Sequence, residues 1–322
     1  MSTTTTTQIP AEVNAFYNRT LLDRAVALFI HTMYGQVRNL PKNAGTNTIK
    51  FRRYGNLTAA TTALTEGVTP AGSALSVTDI TATVAQYGDF VTVSDVVDYS
   101  SQDAVLMEAA EILGDQGGDT LDQLTRDVLA AGTSVSYSGS SNTATADVAA
   151  GDVIDLNDIK DAVKTLKNNN AKRITSMVDP STGYNTSPVD AAYVGIVHPN
   201  ITYTLKTLTG WVPVEQYGSK TKLLPGEVGK IEEVRFVETT NAKVFTAAGT
   251  GSIDVYATII LGMHAYGISR ISGEAMKNIV KPLGSAGSAD PLDQRATSGW
   301  KATFVAKILN DNFMTRIESA QV

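Results

Sequence analysis

Thr48-Ile49-Lys50-Phe51-Arg52 alternates polar and apolar side chains, the period of a half-buried strand. Upstream, Phe16, Leu21, Leu22, Val26 and Phe29 recur at helical spacings and predict a short helical region over 11–36. Downstream, 54–76 is rich in Thr, Ala and Gly, carries a turn signal at Thr69-Pro70 and has no helical period. Two strand-like runs follow, 77–87 and 90–97, separated by Gly88-Asp89. The whole of 48–98 therefore reads as a long β-excursion projecting from a body.

Ser100-Ser101-Gln102-Asp103 then supplies a capping-box pattern. Leu106, Ala110, Leu113, Gly117, Leu121, Leu124 and Val128 recur in steps of three and four, and Gly132 is placed to stop the run. An unbroken helix over 102–131 would be about 45 Å long at 1.5 Å per residue. Gly114, Gly117 and Gly118 each cost roughly 1 kcal/mol relative to alanine, so the spacing predicts a bend or a close backbone approach there. Two shorter helices joined at Gly117-Gly118 are the alternative. A Ser/Thr/Ala/Gly-rich loop or flexible hairpin occupies 133–151. Ile159, Val163 and Leu166 share one face of a second helix over 156–167, ended by Asn168-Asn169-Asn170. From Ile174 strands dominate, clearest at 193–197, 231–237 and 253–261. The chain closes with an alternating strand over 300–308, a turn at Asn310-Asp311-Asn312, and a returning strand over 313–317.

At 322 residues, 43% hydrophobic and 18% charged, the chain is long enough to bury a large core and lies outside the disordered class. Cysteine is absent, which removes disulfides and thiolate chemistry and suits a reducing compartment. The longest nearly apolar run, 255–268, is broken by Thr258 and His264 and is shorter than the ~20 residues of a membrane-spanning helix. Met1 leads into Ser/Thr residues and Gln8 without a basic start and apolar core, so a secretory leader is not expected. The Thr tract near the N-terminus builds no core of its own and gains order only against a neighbour.

Charge is distributed unevenly. Residues 1–53 carry seven Lys/Arg against Glu12 and Asp23, net +5, whereas 54–130 carry twelve acids against Arg126, net −11. Ordinary solvated charge is one reading. The other is a basic arm docking on an acidic surface, its own or a neighbour's, with Arg19, Arg24, Lys50, Arg52 and Arg53 as candidate inter-subunit contacts. Some of these could also touch nucleic acid non-specifically, in contacts weakened by salt.

Candidate chemistry is sparse. His31, His198 and His264 lack metal-ligand spacing and read as structural. No Gly-x-Ser-x-Gly elbow occurs. Pro225-Gly226-Glu227-Val228-Gly229-Lys230-Ile231 has too short a glycine spacing for a phosphate loop and ends in Ile where Ser or Thr is needed, so it reads as a turn. Asp155 and Asp158 suit a helix N-terminus. Asp115, Asp119 and Asp122 share a helix face with no evident partner, and solvation is their default. No catalytic, cofactor-binding or metal-binding residue is expected.

This order of elements resembles the major capsid fold of tailed bacteriophages, the Hong Kong 97 type. Within that group the chain is similar to the N4-type major capsid family over most of its length. The most specific stretch is Asp290-Pro291-Leu292-Asp293-Gln294-Arg295-Ala296-Thr297-Ser298-Gly299-Trp300-Lys301-Ala302. Tyr193 to Pro199, Leu224 to Ile231 and Val234 to Thr239 support it. In the family fold these resemble turns and strand junctions, so Asp290, Pro291, Gln294, Arg295, Gly299 and Trp300 are structural-motif residues. The resemblance implies an α+β fold with an N-terminal arm (1–47), an extended β-loop (48–98), a peripheral domain with a spine helix (99–175), an axial domain (176–289) and a return to the peripheral domain (290–322). It also implies self-assembly into pentamers and hexamers of an icosahedral head around double-stranded DNA, built in the host bacterial cytoplasm. Scaffold, portal and decoration proteins would be partners, and a membrane would not. The Lys–Asn cross-link of the type example has no matched motif here. A secreted or surface-layer β-rich protein is the rival reading, disfavoured by the missing leader and missing repeats, and an enzyme is a distant third.

Overall fold

The computed structural model describes residues 30–96, 105–139, 141–177, 189–218, 223–273, 276–285 and 290–321. The expected helical region over 11–29, the capping pattern at 100–103, and Arg19 and Arg24 lie outside these residues. The chain is α+β, with many strands and few helices.

Two sheets form the body. The first is built on β14 (Arg295–Ile308), a strand of 14 residues. One side of β14 pairs antiparallel with β4 (Ala85–Ser94), from Arg295 opposite Ser94 to Phe304 opposite Ala85. On its other side lie β13 (Met276–Lys281) and, further along, β12 (Tyr266–Ile271), which in turn pairs parallel with β1 (Gln36–Leu40). The second sheet runs β5 (Val135–Tyr137), β15 (Met314–Ser319), β11 (Val255–Leu261), β6 (Tyr193–Val197), β9 (Val234–Glu238), β8 (Glu227–Ile231), β7 (Val212–Pro213), with β10 (Val244–Phe245) on β11.

Every residue of β6 and β11 is buried, because both faces of the second sheet are covered. On one face, Tyr193, Val197, Tyr256 and Ile260 pack with Ile159, Val163 and Leu166 of α2 (Leu156–Asn168) and Ile201 and Leu205 of α3 (Pro199–Thr207). On the other face, Ile196, Ile259 and Leu261 join Trp300, Phe304 and Tyr266 of the first sheet and Leu113, Leu121 and Leu129 of α1 (Val105–Ala130). The continuous apolar runs in the sequence are thus strands between two cores, not one-sided strands.

Helix α1 continues through all three glycines; its 26 residues span about 39 Å. No backbone crosses at Gly117. A Cβ there would lie 2.7 Å from Met276 Sδ and 3.2 Å from Trp300 Cδ2, so the glycine admits the tryptophan ring from the sheet beneath. The two-helix alternative is thereby set aside. At α2, Asp155 accepts the Asp158 N–H at 2.8 Å while the Asp158 carboxylate accepts the Asp155 N–H at 3.1 Å, a reciprocal cap.

Several expectations need correction. Residues 31–34 turn and β1 follows, so the predicted helix does not reach 36; alternation in Gln36–Leu40 is masked because four of its five residues sit unburied at a sheet edge. The break in 77–97 falls at Val84, not at Gly88-Asp89; β4 runs through Gly88, where a Cβ would meet the Trp300 carbonyl oxygen at 2.5 Å. Consequently β4 belongs to the body and only β2 (Thr48–Tyr54) and β3 (Val77–Thr83) project. The 133–151 loop contains β5, which pairs parallel with β15. The 231–237 strand is a hairpin, turned by Glu232 at φ 49°. The helix α3 lay unread in a β-rich stretch, though Pro199 opens it and His198 caps it. Finally, the last strand does not return along β14; it crosses to the second sheet between β5 and β11.

Candidate assembly interface

The β2–β3 hairpin pairs from Thr48 opposite Thr83 to Tyr54 opposite Val77, and Gly55 N–H donates to Ser76 O at 2.9 Å to close its mouth. Beyond that closure every residue of 55–76 is exposed. Leu57, Leu64, Val68 and Leu75 are 54%, 78%, 62% and 67% exposed in this one segment. Four large aliphatic side chains exposed within one segment make 55–76 a candidate for cover by another surface.

The candidate cations of the hairpin have different fates. Arg52 sits opposite Asp79 and forks onto it, Nε to Oδ1 at 2.9 Å and Nη2 to Oδ2 at 3.1 Å. The Arg52 hydrogen bonds hold the Asp79 carboxyl below its usual range. That guanidinium is therefore engaged within the hairpin. Lys50 and Arg53 are exposed and make no ion pair with another described residue closer than 4.0 Å. Phe51, between them, is buried against Gly267 at the root of the hairpin.

The motif residues of 290–300 come together at one corner of the body. Asp290 is buried and its carboxylate accepts the Arg295 backbone N–H at 2.8 Å, closing a turn in which Asp293 has φ 51°. Pro291 and Gln294 are exposed, and the Gln294 carbonyl accepts the Asp95 N–H at 3.0 Å. Arg295 opens β14. Gly299 is required because a Cβ would stand 2.8 Å from Phe90 Cβ on the neighbouring strand. Trp300 is buried under α1 and donates its indole N–H to Gln116 Oε1 at 3.0 Å. The motif thus sets turn, strand and helix in register. It does not meet Lys50, Arg52 and Arg53, which lie on the hairpin.

Among the carboxylates, Asp122 and Asp119 depart from the solvated default. Asp122 is fully buried and accepts the His31 N–H and Nδ1, both at 2.7 Å. Asn241 donates to Asp119 at 2.6 Å, tying the loop after β9 to α1. Their helical spacing alone could not reveal partners that lie about a hundred residues away in sequence. The three histidines are dispersed: His31 is buried on α1, His198 accepts the Asn200 N–H at 3.2 Å as a helix cap, and His264 sits in a turn at φ 63°. Burial lowers the His198 pKa despite nearby Glu238. Among the described residues, no group of three or more His, Asp or Glu could hold a metal ion, and no helix is long and apolar enough to cross a membrane.

The fold has known counterparts. The capsid of Ralstonia phage GP4 superposes with a TM-score of 0.69 at 14% identity, over 89% of this chain and 87% of that one. The cyanophage Pam1 capsid matches with a TM-score of 0.66 at 15% identity, over 97% and 94%. The head protein of Helicobacter pylori bacteriophage KHP40 matches with a TM-score of 0.60 at 13% identity, over 92% and 90%. At such identities these likenesses speak for the fold. No curated protein matches the sequence. A family model described as phage capsid protein matches residues 31–281, and since that is well over half of the chain, this protein belongs to the phage capsid protein family.

Proposed function

We propose that this phage capsid protein is the major shell subunit of a tailed phage, with the Hong Kong 97-type fold and membership of the N4-type group. It assembles into pentamers and hexamers of an icosahedral head around double-stranded DNA, in the host bacterial cytoplasm. In this reading α1 is the spine helix of a peripheral domain spanning 99–175, rejoined by 290–322, the axial domain is 176–289, and 1–47 and 48–98 are the arm and the extended loop. The observation that carries the reading is the hairpin whose outer segment, 55–76, is wholly exposed yet carries four large aliphatic side chains. Arg19, Arg24, Lys50, Arg52 and Arg53 serve contacts between subunits, and Asp290, Pro291, Gln294, Arg295, Gly299 and Trp300 hold the body to which the loop is anchored. Packaged DNA touches the wall weakly and without sequence preference, consistent with a net charge of −6. Scaffold, portal and decoration proteins are its further partners.

The role is structural, as the family implies, and the secreted or surface-layer alternative draws no support from the family or the fold. Electron microscopy of the purified chain tests the proposal. Closed shells are expected; flat lattices, or monomers at every concentration, would contradict it.

A further inference from the structure

Among the described residues, α1 covers one face of the sheet built on β14. Ala296, Trp300 and Ala302 pack on the helix side, so the alternation of the strand turns Thr297, Gly299 and Lys301 to the opposite face. There Phe90 of β4 and Ile279 of β13 stand on either side of Gly299, 59% and 44% exposed. Lys281 flanks Thr297, and Lys277 lies directly opposite Lys301. The result is a trough of about 710 Å³. Lys281 and Lys301 border it, both exposed and neither within 4.0 Å of a carboxylate of another described residue. The acid among its lining residues, Asp89, turns to the helix side, where its carboxylate accepts from Gln116 at 2.7 Å.

The outward positions of β4, β13 and β14 carry four cations, Lys277, Lys281, Arg295 and Lys301, and no carboxylate, in a chain whose net charge is −6. The helix on the other side has the reverse balance, six acids against Arg126. The body is thus polarised, and a polyanion is drawn to its sheet face. A protein partner suits that face poorly, because two large apolar side chains make too small a dry centre and lysine is depleted from such centres. Phosphates suit it well, since interfaces with nucleic acid are polar and positive and lysine is a phosphate donor. Lys281 and Lys301 lie in rows four residues apart along the strands, about 14 Å. That is near the ~12 Å width of the duplex major groove, and the flexible lysine stems take up the difference.

We propose that the trough between Phe90 and Ile279 seats the phosphate backbone of duplex DNA, with Lys281 and Lys301 as its chief contacts, and that this face of the sheet lines the lumen. This rests on the capsid reading and deepens it by naming the surface of the wall that the DNA touches. Lysine answers to charge and not to base edges at a phosphate, so the contact is independent of sequence.

Fluorescence anisotropy of a short labelled duplex of random sequence, titrated with the dilute full-length subunit at several salt concentrations, tests the contact. The slope of log affinity against log salt should be flatter by about 1.8 in K281Q/K301Q than in the parent, since each neutralised phosphate contributes about 0.9. K160Q/K164Q, with the same charge change at exposed positions of α2, should keep the parent's slope. F90A should bind the duplex within about twofold of the parent, because stacked base pairs offer the ring no free face. Thermal midpoints equal to the parent's would establish that these surface changes leave the fold intact. In particles, acetylation of amines read by mass spectrometry should find Lys281 and Lys301 protected in DNA-filled heads and reactive in empty shells of the same chain. K281Q/K301Q should form empty shells at the parent's concentration.

An unchanged slope in K281Q/K301Q, or an equal flattening in K160Q/K164Q, would overturn the proposal. So would protection of both lysines in empty shells, which would give the face to a protein, or their reactivity in filled heads, which would place the face outside the lumen. Binding confined to single strands and lost in F90A would make the trough a base-stacking platform instead. A rise of about tenfold in the concentration at which K281Q/K301Q forms empty shells would make the face a subunit contact. Shell formation by the parent is read apart from duplex binding by the dilute subunit, so failure of this contact is distinguishable from failure of the capsid reading.

Discussion

Glu227→Ala is expected to be among the costliest single changes in the protein. Glu227 and Arg235 face each other across the β8–β9 hairpin, and each side chain is 1% exposed. Arg235 Nε donates to Glu227 Oε1 at 2.6 Å and Nη2 to Oε2 at 2.5 Å, while the same Oε2 accepts the Leu224 N–H at 2.9 Å. The guanidinium also lies 5.8 Å from the centre of the Tyr217 ring, and burial, reinforced by Glu227, raises the Tyr217 pKa. Truncating Glu227 removes the carboxylate to which two guanidinium nitrogens donate and leaves a buried amide without its acceptor. Breaking a buried pair in this way costs about 3–5 kcal/mol. Urea unfolding of the dilute subunit, followed by circular dichroism, should show the midpoint falling by roughly 1–1.5 M at a slope near 3 kcal/mol per molar. The double variant E227L/R235M, which removes both charges and keeps apolar volume, should recover most of that loss, to within about 1–2 kcal/mol. A midpoint shift below about 0.3 M for Glu227→Ala would refute the reasoning, because it would mean that water reaches the guanidinium.

Trp300→Ala removes the ring packed on Gly117 and the bond to Gln116, and should lower stability by about 3–5 kcal/mol in the same unfolding assay; a loss under 1 kcal/mol would deny the ring its place under α1. Gly88→Ala forces a Cβ to 2.5 Å from the Trp300 carbonyl, which is backbone and cannot swing aside, so a loss of about 1–3 kcal/mol is expected against none if β4 can slide. Replacing 55–76 with a short turn should leave the subunit's melting temperature nearly unchanged, because the segment is exposed throughout, while abolishing shells; intact shells would remove the segment from assembly. Burial would raise the Glu233 and Asp127 carboxyls, yet hydrogen bonds from Lys167 and Arg173 to the first, and from Lys243 and Arg126 to the second, hold both below the usual range. Groups so depressed contribute stability above their unfolded pKa near 4 and lose it as pH falls through their folded values, so the urea midpoint should drop between pH 5 and pH 3. Asp158, raised by burial, works in the opposite direction; a midpoint that stays level to pH 3 would show that it cancels the other two, and one that rises that it outweighs them.

Local rules made much of this fold legible. The helix α2 could be read from Ile159, Val163 and Leu166 with its Asp155 cap, because every signal that defines it lies within one stretch of thirteen residues. The long α1 and the strand β2 were readable for the same reason, whereas the extent of the projecting hairpin was not, since β4 joins the body. What stayed hidden depends on distant partners. Nothing near Gly88 announces that β4 must lie against the Trp300 backbone, so glycine there read as a break. Nothing in the alternation of 313–317 says that its partners are β5 and β11 and not the strand before it. The same holds for Asp122, whose helical spacing suggests water but whose carboxylate is claimed by His31. Of the candidate contacts, charge pattern identified Lys50, Arg52 and Arg53, but only the cross-strand register reveals that Arg52 is already held by Asp79.

Deuterium uptake along 55–76, compared between dilute subunits and particles assembled from the same chain, addresses the account most directly. If copies of this protein complete one another's surfaces, the segment exchanges within seconds in the free subunit and is strongly protected in closed shells. Equal, rapid exchange in both states, or the absence of any closed particle to measure, would contradict it.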